Sequence, residues 1–360
     1  MIAALLLSIV ISAPVRSGSM AVAPRSENVV EPAAAVASGN PDSILAAWRV
    51  GDTVQVARLH SWLLADQASL QTFALQPGHS QSVSPQIATG GTAYFVAWSE
   101  WSVERRAFDV ILARFSLDGH LLEGPSIVLR DFSAPATLLV ENGAVNFRPT
   151  PVAACGHETL MASTATTQGV NFGRNAGNFY SYELRAQWLE SGVSTSFLGA
   201  FVNPSLPQYG IPLPTAQPPA YACTPQRCVV IYHMPPVAFS IVHHLYAGAL
   251  PCGGGAFSSV QQVAELFDPA FAAAANGDDI LLVYMKQQSL TGVMLRVTSG
   301  KAEQVDEFSI APDGASRPAV AAAGDGFIVA YEVQDGGGMK HLEGVRIGPP
   351  PVPPRRHAVR

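Results

Sequence analysis

The chain has 360 residues, 48% of them apolar and 13% charged, with a formal net charge of −6. That length suits one large domain or two ordinary ones, and the charged fraction is half the usual value of roughly 25%. The mildly acidic balance excludes the basic surface that nucleic-acid binding requires.

The N-terminus opens with an apolar run over residues 2–11. The run is too short to span a bilayer, and no other stretch is long and apolar enough. It fits the core of a secretory signal peptide, with Ser19-Met20-Ala21 as the small-residue cleavage site, although no positive charge precedes it. Residues 1–19 are therefore read as a signal or apolar N-terminal segment, and the protein as secreted or periplasmic. Lysine is scarce (Lys286, Lys301 and Lys340 only), in the manner of a GC-rich bacterial genome.

From Pro32 onward one plan recurs. Its copies begin at Pro32, Pro85, Pro151, Pro219, Pro269 and Pro318. A small apolar run follows each proline, then a turn, then a second run closing on Trp48, Trp98, Thr164, Tyr232, Tyr284 or Tyr331. Third and fourth runs follow, such as "DVILARFS" and "SIVLRD" in the second copy. Strand-length runs with Gly, Asp and Asn turns, and no amphipathic helix, predict four antiparallel strands per copy. Such a repeat predicts an all-β fold: a six-bladed β-propeller of four-stranded blades over residues 20–348. Tandem β-sandwiches would repeat at a longer interval. The sixth copy lacks a fourth run, because the chain ends in "PPPVPPRRHAVR" over residues 349–360, and proline cannot donate to a ladder. Residues 20–24 resemble the fourth strand of the fifth copy. They are expected to complete the last blade, closing the ring without a free edge. The proline-rich tail reads as an extended end.

The motif Pro-x-(Ile/Val/Ala)-Ala, a glycine turn, then a run ending in Trp or Tyr resembles the repeat of uncharacterised, exported bacterial β-propeller proteins. The resemblance covers nearly all of the mature chain and implies architecture, not activity. The Asp-box, the kelch double glycine and the Trp-Asp ending of better-known propellers are missing from the sequence.

The first runs carry alanines and no acid or base directly after the proline, which suits strands converging on an axis. The aromatics that close the second runs are expected to pack between blades. Function is therefore sought on loops. The long segments 99–108, 131–150, 165–181, 203–218 and 233–242 belong to copies two to four and to one face of a propeller. They supply the candidate ligand-binding residues Trp101, Glu104, Arg106, Arg148, Arg174, Tyr180, Tyr209 and His233. Aromatic faces beside arginine forks suit a glycan, a peptide or a carboxylate. Glu100, Arg105, Phe108, Phe132, Phe147, Phe172 and Phe179 share these segments.

His233, His243 and His244 do not make a metal site, because strand alternation separates the adjacent pair and no third ligand is evident. No metal or cofactor is expected. "SLDGH" at 116–120 reads as a hairpin turn. Cys223 and Cys228 flank "TPQR" and are expected to form a disulfide across a hairpin. Cys155 holds the same repeat position as Cys223, but Leu160 takes the place of a partner, which leaves a Cys155–Cys252 bridge open.

Three functions stay in play. The first is a monomeric binding module for a glycan, peptide or envelope component on the loop face of blades two to four. The second is a carbohydrate-active hydrolase or lyase with loop-borne catalysts such as Glu100, Glu104 or His233; no catalytic residue is assigned, and the reading leans away from an enzyme. The third is a scaffold that docks another protein.

Overall fold

The computed structural model describes residues 20–21, 29–36, 44–59, 65–89, 93–105, 107–129, 148–155, 158–171, 177–188, 194–202, 220–224, 227–234, 243–252, 261–266, 270–298, 301–311 and 314–348. The segments expected to be a signal peptide and a proline-rich tail lie outside these residues. Apart from one short 3-10 turn at Gln67–Ser69, every described element is a β-strand.

The strands form six four-stranded antiparallel sheets. Sheet one holds β2 (Val29–Val36), β3 (Ile44–Val50), β4 (Thr53–Leu59) and β5 (Gln71–Phe73). Sheet two holds β6 (His79–Thr89), β7 (Ala93–Ser102), β8 (Ala107–Ser116) and β9 (Leu121–Leu129). Sheet three holds β10 (Arg148–Cys155), β11 (Glu158–Asn171), β12 (Gly177–Trp188) and β13 (Ser194–Val202). Sheet four holds β14 (Ala220–Cys223), β15 (Arg227–Met234), β16 (His243–Pro251) and β17 (Gln261–Leu266). Sheet five holds β18 (Phe271–Asn276), β19 (Asp279–Lys286), β20 (Ser289–Thr298) and β21 (Lys301–Ala311). Sheet six holds β22 (Ala315–Ala323), β23 (Gly326–Gln334), β24 (Lys340–Ile347) and, from the other end of the chain, β1 (Met20–Ala21). Met20 pairs with Gly344 and Ala21 with Glu343.

The first strands touch one another in a closed cycle, β2 to β6, β10, β14, β18, β22 and back to β2. This is the arrangement of a β-propeller, with the first strands innermost. Residues such as the four alanines of β18 suit that place, because small side chains let strands converge.

The repeat proline has a structural use. In β2, β6, β10 and β22 the ladder skips between Val30 and Ala33, Val83 and Gln86, Pro149 and Val152, and Ser316 and Ala319. Pro32, Pro85, Pro151 and Pro318 fall inside these bulges, where an N–H is not needed for pairing.

The core lies between neighbouring sheets. Trp48 packs with Ile328 and Leu342 of sheet six, and Trp98 with Leu45 and Val56 of sheet one. Tyr284 meets Ile231 and Leu245 of sheet four, and Tyr331 meets Leu281 and Val283 of sheet five. Phe73 of β5 stacks on Trp98 at 5.6 Å between ring centroids. Replacing Trp98 by alanine would leave a large cavity, worth about 3–5 kcal/mol.

Two disulfides join strands. Cys223–Cys228 spans the β14–β15 hairpin, with Cα atoms 3.9 Å apart. Cys155–Cys252 ties sheet three to sheet four, with Cα atoms 5.3 Å apart. The hairpin of sheet three is tighter than repeat counting suggests: Cys155 pairs with Glu158, and Leu160 faces Ala153. Residues 116–120 form the expected hairpin turn, with Gly119 at φ 81°.

The long connections differ from their expected form. Between β7 and β8 the turn is short, and Trp101 and Phe108 are paired strand residues. Residues 165–171 pair with 177–183, so most of the third-copy segment is a hairpin projecting from sheet three. Thr166, Thr167, Val170, Phe179, Tyr180 and Tyr182 explain this, being β-branched or aromatic residues that favour a ladder.

Candidate functional site

Strand direction defines one end of the propeller. In every sheet the second strand ends, and the third begins, where the chain arrives from the preceding sheet. Among the described residues the buried polar side chains are Ser99, Glu100, Ser102, Asp109, Thr291, Glu332 and His341. All seven sit towards the end of a second strand or the start of a third. The opposite end buries only apolar side chains among these residues. Buried polar groups are costly unless hydrogen-bonded, so their placement at one end marks where local geometry is held by specific bonds.

Among the described residues, sheet two carries the densest network. Strand alternation points Trp98, Glu100, Asp109 and Ile111 towards sheet one. Glu100 is 1% exposed, and both of its oxygens are used. Trp98 donates its indole N–H to Oε1 at 2.8 Å, and the backbone N–H of Gln76 donates to Oε2 at 2.7 Å. Asp109 is fully buried and pairs through Oδ2 with the Arg105 guanidinium and with His79 Nε2, the latter at 2.9 Å. His79 Nδ1 lies 3.2 Å from the carbonyl of Pro77 and 3.9 Å from Glu100 Oε2. Both imidazole nitrogens thus face acceptors.

The network fixes two connections. Gln76 and His79 anchor the link that arrives from sheet one. Arg105 anchors the turn between β7 and β8, helped by its backbone N–H to Ser102 Oγ at 3.4 Å and by Val103 N–H to Gly78 O at 3.0 Å. Trp101 precedes this clamped turn in β7, and Glu104 lies within it. Trp101 is half-buried, and Glu104 is exposed.

The other expected site residues distribute as follows. Arg148 begins β10, at the same end of the propeller as Ser102, and β10 lies against sheet two. Tyr180 is in β12, opposite Gln168 and Val202. His233 is in β15, opposite Leu245. Arg106, Arg174 and Tyr209 lie outside the described residues, as do Phe132, Phe147 and Phe172.

Glu100 and Glu104 do not form an acid–base pair. Glu100 points inward with both oxygens occupied, whereas Glu104 faces solvent. Both ring nitrogens of His79 are turned towards protein acceptors rather than towards solvent. Neither His79 nor Asp109 is among the site residues expected from the sequence. A signal for Asp109 was available, because an acid interrupts the apolar run of β8 directly opposite Glu100.

Sheet six repeats the theme with different residues. Glu332, 2% exposed, accepts from Lys340 at 2.8 Å and from the Ser316 hydroxyl at 3.4 Å. Glu343 pairs with His341 at 3.2 Å and accepts from the Tyr331 hydroxyl at 3.5 Å.

No protein-family model matches the sequence, and no curated protein matches it. Solved structures do resemble the fold. A protein of unknown function from Dyadobacter fermentans superposes with a TM-score of 0.60 at 11% identity, over 94% of this chain and 100% of that one. Trypanosoma rangeli sialidase superposes with a TM-score of 0.54 at 10% identity, over 89% of this chain. The chain spans about half of the sialidase, 55% of its length. These likenesses establish the β-propeller fold.

Proposed function

We propose that this protein is a secreted or periplasmic binding module whose ligand, a glycan, peptide or envelope component, lies on the loop face of sheets two to four. The observation that carries this reading is the clamped β7–β8 turn. Bonds from Ser102 and Asp109 hold the turn that contains Glu104 and follows Trp101 at the end of β7, and rigid presentation reduces the ordering cost of binding. Arg148 at the start of β10 and Tyr180 on the projecting hairpin belong to the same end of the neighbouring sheet. Arg106, Arg174, Tyr209 and His233 complete the proposed set. Two disulfides agree with an oxidising compartment. A glycan is the first class to test, because one structure of this fold, the Trypanosoma rangeli sialidase, is a complex with sialic acid.

The test is a glycan and peptide array probed with the mature protein, alongside Trp101→Ala and Arg174→Ala. Each substitution is expected to weaken a retained ligand by about tenfold or more, the usual cost of losing an aromatic or arginine anchor. If both variants retain every ligand at wild-type strength, the loop-sector reading is wrong.

A further inference from the structure

Two residues other than glycine have a left-handed backbone among the described residues, Gln287 at φ 59° and Arg317 at φ 46°. Gln287 has a local reason. It is the first residue of the two-residue turn joining β19 to β20, a turn type that requires positive φ. Arg317 has no such turn. It lies within β22, and it precedes Pro318, a position that steric crowding pushes towards extended conformations. Its backbone is strained, and strain held by surrounding structure is a recurrent mark of functional positions.

The place of Arg317 gives that strain a meaning. It is the bulged residue before the repeat proline, near the start of an innermost strand. The matching bulges of β2, β6 and β10 put Glu31, Ser84 and Thr150 at the same register position. A polar residue therefore stands at each of these four bulges, where the first strands converge on the polar end of the propeller.

The guanidinium of Arg317 is also unused. No hydrogen bond or ion pair engages it among the described residues, and its Nη1 is buried without a partner. Glu332, opposite Ser316, is engaged by Lys340 and Ser316 through Oε1 only and forms no ion pair with Arg317, its Oε2 being buried without a partner. The residue as a whole is half-buried.

We infer that Arg317 anchors an anion site where the first strands converge, taking the carboxylate or phosphate group of a small ligand. A planar fork with free donors matches either oxyanion. The site is separate from the loop sector of sheets two to four and does not depend on it.

Calorimetric titration with inorganic phosphate and with acetate, at constant ionic strength, tests this. Wild-type protein is expected to bind at least one anion saturably, with a Kd of about 1–10 mM. Arg317→Gln is expected to weaken that binding by about tenfold or more, whereas Arg296→Gln, on the opposite rim, leaves it unchanged. Arg317→Gly guards against misfolding. It relieves the positive φ, so it is expected to lose the anion while its Tm stays level or rises by about 1–3 °C. Phosphate binding alone would assign a phosphate ligand, and acetate binding alone a carboxylate. Absence of saturable binding for both anions up to about 100 mM, or full binding by Arg317→Gln, overturns the inference.

Discussion

Single residues in this protein differ sharply in how well their polar atoms are satisfied, and stability should follow. Glu100 accepts two buried hydrogen bonds. Glu100→Ala strands the Trp98 indole N–H and the Gln76 N–H, at an expected cost of about 2–4 kcal/mol in urea denaturation. Glu100→Gln keeps an acceptor for only one of the two and turns an amide NH2 towards the other donor, so it should recover at most part of that loss. Tyr221 is the opposite case. Its hydroxyl is buried with no hydrogen-bond partner, and burial pushes its pKa far upward. Tyr221→Phe removes an unsatisfied group and is expected to raise stability by about 0.5–2 kcal/mol. Tyr232 lies stacked beside Tyr246, at 6.1 Å between centroids. Desolvation, and then the neighbouring Tyr246, push its phenol from 10.0 up to about 12. A raised folded-state pKa contributes stability that is fully present below about pH 10 and is lost as pH climbs through about 12. Urea midpoints should therefore fall over that window, and Tyr232→Phe should shallow the fall.

At the scale of elements, the two disulfides make unequal contributions. Cys223–Cys228 closes a separation of 5 residues within one hairpin, and Cys155–Cys252 closes 97 residues between two sheets. The chain-entropy model gives about 2 kcal/mol for the short loop and about 4–5 for the long one. Replacing each pair by alanine and comparing denaturation midpoints checks that order; equal losses would contradict it. Strand existence in these elements was legible because alternation and turn residues are local properties. Connection lengths were less legible. The segment after Ala165 reads as a loop when counted against the repeat, yet Thr166, Thr167 and Val170 find partners in Tyr182, Ser181 and Asn178. A sheet extends for as long as both strands supply residues that pair, and only the partner strand reveals that.

For the whole molecule, closure is the decisive event. β1 supplies the outer strand of sheet six from a point some three hundred residues away in sequence, pairing Met20 with Gly344. A chain that begins at Val29 would leave β24 as an edge. Such a chain is expected to unfold at lower urea and to self-associate on gel filtration, whereas one beginning at Met20 should remain as the full chain does. If the two behave alike, the N-terminal strand does not matter for stability.

The primary structure by itself determined the strand repeat, the alanine-lined first strands, the proline positions and the aromatics between sheets. Each of these follows from side-chain size, alternation or a missing N–H, which act over a few residues. The tertiary structure alone decided which polar groups meet. His79 comes from the start of β6, Glu100 from the end of β7, Arg105 from a turn and Asp109 from β8, and only the folded sheet brings them within bonding distance. The same holds for Arg317. Its type and its proline neighbour are plain in the sequence, but its left-handed backbone and unpartnered guanidinium are set by a bulge, and a bulge exists only between paired strands.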